Sequence, residues 1–127
     1  MPGAVETAVR QFAASLDALD VDALVSVLAD DVEGVEEISR QWLRGHDAVA
    51  GYLRDLATQV SDIDTTLSDL HERRWGDIGV VTCWLDQTYK FGDEVVRISA
   101  PTTLLFRSEA GQWKLVLFHS VPLPERE

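Results

Sequence analysis

The chain has one cysteine, three histidines and half as many basic as acidic side chains, 11 against 22, in 127 residues. A lone thiol, Cys83, excludes an internal disulfide framework and a cysteine metal cluster, and reads as a small buried apolar residue on a strand. His46, His71 and His119 stand at no metal-ligand spacing, so no metal site is expected, and no motif calls for a cofactor. No uninterrupted apolar run is long enough to cross a bilayer, and Met1 to Glu6 has neither the basic segment nor the apolar core of a signal peptide. Internal repeats and low-complexity stretches are missing as well. What is left is one domain over residues 1–127, with 46% hydrophobic residues to build a core, expected to be cytoplasmic and without membrane contact.

The shortage of basic residues is uneven. Residues 1–72 carry 15 acidic and 4 basic side chains, whereas residues 73–127 carry 7 of each, so the net charge of -11 belongs to the first part. Such a field repels phosphate backbones, and no nucleic-acid partner is expected. Its plainest reading is a solvated helical face.

Three helical patterns come first. Val5, Val9, Phe12, Leu16 and Leu19 recur at spacings of four and three, one apolar stripe on a helix of about four turns. Asp20 reads as the N-cap of a shorter helix burying Leu24, Val25 and Leu28, with Asp22 in its first turn and Asp30–Asp31 at its end. A third helix starts near His46–Asp47, after Gly45, with Val49, Tyr52, Leu53, Leu56 and Val60 on one face. Between the second and third, Val32 to Leu43 reads as a short strand or bent loop.

From Ile63 the period changes to two. Ile63, Thr65 and Leu67 lead to Trp75 and a Gly76–Asp77 turn; a strand follows from about Ile78 to Phe91, then a Gly92–Asp93 turn and a strand from Val95 to Arg107. Pro101 lacks a ladder donor, so its nitrogen must face a bulge or a free edge. The last strand runs from Trp113 to about Val121. Both faces of these strands are rich in apolar residues: Val81, Cys83 and Leu85 against Val80 and Trp84; Trp113, Leu115 and Leu117 against Val116 and Phe118. Helices can cover one face only, so the other is expected to pack against a second copy in a homodimer.

Several segments together resemble a known family: Ala18-Leu19-Asp20-Val21-Asp22-Ala23-Leu24 with Leu28-Ala29-Asp30-Asp31-Val32, Leu43-Arg44-Gly45-His46-Asp47-Ala48-Val49, Trp75-Gly76-Asp77, and Gly111-Gln112-Trp113-Lys114-Leu115-Val116-Leu117-Phe118-His119-Ser120. They are similar to the SnoaL-like branch of the nuclear transport factor 2 (NTF2) superfamily, which includes ketosteroid isomerases, polyketide cyclases and the calcium/calmodulin-dependent kinase association domain. The resemblance implies an α+β cone, three N-terminal helices packed on a curved antiparallel sheet, with a pocket in the concave face and commonly a sheet-mediated dimer. It carries no single activity, because this superfold hosts enzymes, binding domains and assembly modules.

Set against the isomerases, Glu36 falls where the carboxylate base lies, after the acidic segment. The oxyanion donors are missing: Phe12 stands at the tyrosine position, and the acid position falls at or next to Thr103. Each such donor is worth roughly 2.7–4 kcal/mol in known enzymes, so steroid isomerisation by that route is not expected. The plainer reading of Glu36 is an acidic surface loop with Glu33 and Glu37. On the same comparison the face of Val116, Phe118 and Ser120 is the concave one, and Phe12, Val116 and Phe118 are expected to line the pocket. Thr103 and Ser120 are candidate hydrogen-bonding groups, with Gln87 and Ser99 as further polar residues of the strands; Trp42 and Arg44, just upstream of the third helix, would stand at the entrance, or Arg44 would pair with the acidic helices. His119 falls on the opposite, dimer-side face. Arg97, facing Tyr89 across the Gly92 turn, would hold a carboxylate if it pointed inward, or pack on tyrosine at the surface.

The leading expectation is therefore a pocket for a small apolar or carboxylate-bearing molecule, with proton abstraction by Glu36 as the reaction of choice. The alternative is a non-catalytic association module whose cone is filled by its own side chains. A third, an epoxide hydrolase-like enzyme, needs an Asp–Arg–Asp set around a water, which Asp86, Arg97 and Glu36 do not visibly assemble.

Overall fold

The stripe of Val5, Val9, Phe12 and Leu16 folds as helix α1 (Ala4–Asp17), with Val5 and Val9 almost wholly buried. A computed structural model describes residues 3–35 and 41–121. Asp20 caps α2 (Val21–Ser26), its carboxylate accepting from the Ala23 amide at 3.2 Å. Helix α3 (His46–Gln59) follows Gly45 and buries Val49, Ala50 and Leu53.

Around these helices lie β1 (Leu28–Val35), β2 (Trp42–Arg44), β3 (Val60–Trp75), β4 (Ile78–Phe91), β5 (Glu94–Glu109) and β6 (Gln112–Ser120). They form one curved, unclosed sheet in the order β2-β1-β6-β5-β4-β3. All ladders are antiparallel except β1–β6, which is parallel. Two sequence expectations change here. Leu28 belongs to β1 and not to α2, and Asp30 and Asp31 do not end α2 but sit exposed within β1, where Leu28, Ala29 and Val32 are buried. The periodicity of this segment is masked by its bulged pairing with β6, which shifts register between Leu28 and Glu33.

Helix α1 is pinned to β3 at both ends by carboxylates. Gly3 offers no capping side chain, and Glu72 of β3 instead accepts from the Glu6 amide at 2.7 Å, placing negative charge at the helix N-terminus. At the other end Asp17 accepts from the Thr65 amide at 3.1 Å and its hydroxyl at 2.6 Å. Between these points α1 rests on β4 at Gly79, where an added Cβ would lie 2.5 Å from Val5 Cγ2. Pro101 meets the sequence requirement by its place: its carbonyl accepts from Val121 just past the end of β6, so its nitrogen faces the same side, beyond the end of the β5–β6 ladder.

Candidate functional site

The inner sheet face, α1 and α3 do not meet completely. They enclose a cavity of about 150 Å³, walled by Val9, Phe12, Ala13 and Leu16 of α1 and by Val49, Tyr52, Leu53 and Leu56 of α3. The sheet contributes Val60, Ile63, Thr65 and Leu67 of β3; Leu85, Gln87 and Tyr89 of β4; Ile98, Thr102 and Leu104 of β5; and Phe118 and Ser120 of β6, with Val35 of β1. Among the described residues that line it, none is charged. Phe118 is set by β1: its ring lies over Gly34, where a Cβ would be 2.0 Å from Cζ, so only glycine permits this ring position.

Two polar groups of the wall are organised. Gln87 Nε2 donates to Thr65 Oγ1 at 3.0 Å, and that hydroxyl donates to Asp17 Oδ1 at 2.6 Å, a chain leading from the cavity to the end of α1. Across the sheet the Thr102 and Ser120 hydroxyls lie 2.8 Å apart, and Thr102 also donates to the Ala100 carbonyl at 3.2 Å. No described buried side-chain nitrogen or oxygen lacks a partner. Cys83, on the inner face of β4, has its thiol pKa pushed up by burial and is a packing residue. Among the described residues no three His, Cys, Asp or Glu side chains are placed to hold a metal ion.

A model of the SnoaL-like domain matches residues 5–124. This chain belongs to the SnoaL-like family. No curated protein sequence matches it significantly, but many solved structures share the fold. A candidate dehydratase of the NTF2-like family from Streptomyces avermitilis superposes with a TM-score of 0.85 at 22% identity, covering 95% of each chain. A ketosteroid isomerase-like protein from Erwinia carotovora atroseptica gives 0.79 at 17% identity, covering 94% of each. A candidate calcium/calmodulin-dependent protein kinase type II association domain from Thiobacillus denitrificans gives 0.74 at 28% identity, again over 94% of each.

In this SnoaL-like domain Phe12, Phe118 and Ser120 line the cavity. Val116 does not, because a bulge on β6, opposite Leu105 and Phe106 of β5, pairs Leu117 and Leu115 with consecutive β5 residues and leaves Val116 as the extra one. Strict alternation through β6 thus fails: Leu115, at 0% exposure, and Phe118 both point inward. Thr103 also lies outside; it pairs with Thr82 and His119 on the outer face, and its neighbour Thr102 takes the inner place. Arg97 is exposed and opposite Thr88, while Tyr89, opposite Val96, lines the cavity. The two-residue Gly92–Asp93 turn closes on Phe91 and Glu94, and that register puts Arg97 and Tyr89 on opposite faces.

Trp42 is 49% exposed and stacks on His119 at 6.4 Å between ring centroids, with the Arg44 guanidinium 5.5 Å above it. Arg44 pairs with Glu33 at 2.8 Å. Asp86 accepts from Ser99, which accepts from the Trp84 indole, and all three stand on the outer face with Arg97. Among the described residues no Asp–Arg set faces the cavity. Glu36 lies outside the described residues. Sequence reasoning missed Asp17, Thr65 and Thr102 as site residues. Thr102 was signalled by its period-two row with Ala100, Leu104 and Phe106; Asp17 gave no signal, since its partner is 48 residues away.

Proposed function

We propose that this domain takes up a small, neutral, mainly apolar molecule in the cavity between α1, α3 and the sheet. The observation that carries this reading is about 150 Å³ of space walled by described residues none of which is charged, with a few anchored polar groups. An apolar void of this order accepts a single six-membered ring. A carboxylate-bearing ligand is disfavoured, because burying an anion without a cation costs far more than apolar contact returns, and Arg97 lies on the outer face. Where the bound molecule carries a carbonyl group, Glu36 is the base we assign to abstract the adjacent proton; it follows the cavity-lining Val35 directly in the chain. The dehydratase and isomerase-like structures share the fold in which this cavity is formed.

The outer sheet face favours a second, compatible role in assembly. Val80, Leu105 and Leu117 form one cross-strand row there, part-exposed, and Val121, beside Pro101 on the same side of the row, is 48% exposed. Association-domain and hub relatives share the fold, which supports a homodimer through this face. No helix among the described residues is long and apolar enough to cross a membrane.

Thermal unfolding with toluene tests the cavity reading. A ligand at ten times its Kd raises the melting temperature by about 5 °C for a domain of this size. The rise is expected for the wild type and lost in Ala13→Leu, which fills the void. An unchanged melting temperature at saturating toluene would leave assembly as the role.

A further inference from the structure

The hydrogen-bond chain beside the cavity has a direction, and that direction fixes what the cavity can recognise. Asp17 receives two bonds from Thr65, from the amide and from the hydroxyl. A carboxylate accepts and does not donate, so the single hydroxyl proton of Thr65 is committed to it. Thr65 Oγ1 must then accept from Gln87, which turns the amide nitrogen of Gln87 toward Thr65 at 3.0 Å. The Gln87 carbonyl oxygen is left as the acceptor. It has no partner among the described residues and it is not sealed, since no described buried side-chain oxygen is unpartnered. Gln87 is part of the cavity wall. Asp17 occupies the last turn of α1, where a negative charge opposes the helix dipole, so its place there is maintained by Thr65.

Resting on the reading of the cavity as a ligand site, we propose that Gln87 presents its carbonyl oxygen to a hydrogen-bond donor on the ligand, with Asp17 and Thr65 as positioning residues. The ligand class is then a small neutral ring bearing a hydroxyl or amine hydrogen, of which phenol is the simplest probe. Size admits one ring. With no charged side chain among the described residues of the wall, benzoate is rejected. A ring without a donor would displace water from the Gln87 oxygen and leave it unpaired, so toluene and anisole bind more weakly than phenol.

Calorimetric titration of the full chain with phenol, anisole, toluene and benzoate tests this. In the wild type phenol is expected to bind about tenfold more tightly than toluene or anisole, and benzoate not at all. Gln87→Leu, close in volume, should abolish that preference while keeping toluene binding. Asp17→Asn releases the Thr65 proton and lets the Gln87 amide turn over; the phenol preference should fall several-fold with toluene affinity unchanged, which a purely structural role for Asp17 would not produce. If toluene and phenol bind equally in the wild type, or the ratio survives both substitutions, the Gln87 assignment is wrong and the cavity reading stands. If neither binds, both fall.

Discussion

On the inner face of β4 and β5, Val81, Ala100, Leu104 and Phe106 are buried to within a few per cent; one residue away, on the outer face, Val80 and Leu105 remain half-exposed. The inner face joins its apolar rows to the helices and carries the Gln87–Thr65 and Thr102–Ser120 hydrogen-bonded pairs near the cavity. The outer face keeps an apolar row of Val80, Leu105 and Leu117 in water and surrounds it with the Trp84–Ser99–Asp86 chain, the Trp42–His119 stack and the Arg107 ion pairs. An apolar residue therefore contributes to stability according to which side of the sheet it faces, and the same strands serve a site on one side and a contact surface on the other.

The sharpest contrast is between neighbours. Phe106→Ala removes a ring at 1% exposure and should destabilise the domain by about 3–5 kcal/mol, against about 1 kcal/mol for Leu105→Ala, both read from urea unfolding of monomeric protein. Equal losses would mean that the outer row is as fully buried in solution as the inner one. Gly34→Ala drives its methyl into the Phe118 ring and should cost about 1–3 kcal/mol. Adding Phe118→Ala to it should recover part of that loss, and strict additivity in the double mutant would separate the two residues. Leu105→Asp should change monomer stability little and shift sedimentation from dimer to monomer; a monomeric wild type would remove the assembly role.

The smallest effect concerns the ion pairs on the outer rim. The Arg107 guanidinium, bonded to Asp31 at 2.8 and 3.1 Å, holds the Asp31 carboxyl below its ordinary pKa. A depressed carboxylate pKa adds stability above the unfolded value of about 3.9 and loses it as pH falls through the folded one. The excess stability of the wild type over Asp31→Asn should thus be present at pH 7, begin to fall near pH 4 and vanish only below the depressed folded pKa. Both groups are solvent-exposed, so it should be slight and fade with salt. A pH-independent difference would trace the effect to packing.

The helices and hairpins were legible because each is local. The Val5–Val9–Phe12–Leu16 stripe, the Asp20 cap, the start at Gly45 and the two-residue turns at Gly76 and Gly92 each depend on residues a few positions apart. What was not legible depends on pairing over long separations. The β6 bulge moved Val116 out of the wall, the β1–β6 parallel ladder brought Asp30 and Asp31 into a strand, and the register of β4 and β5 sent Arg97 to the opposite side from Tyr89. Thr102 in place of Thr103 is a one-residue choice of phase, which a period-two pattern leaves open until one face is known to be buried.

The most direct measurement is a two-dimensional NMR titration of the protein with toluene, following side-chain methyl signals on the two faces. Saturable shifts are expected for Leu53, Ile98 and Leu104 around the cavity, with Val80 and Leu117 unmoved. Shifts confined to Val80 and Leu117, or no saturable change on either face, would contradict a ligand site within the cone.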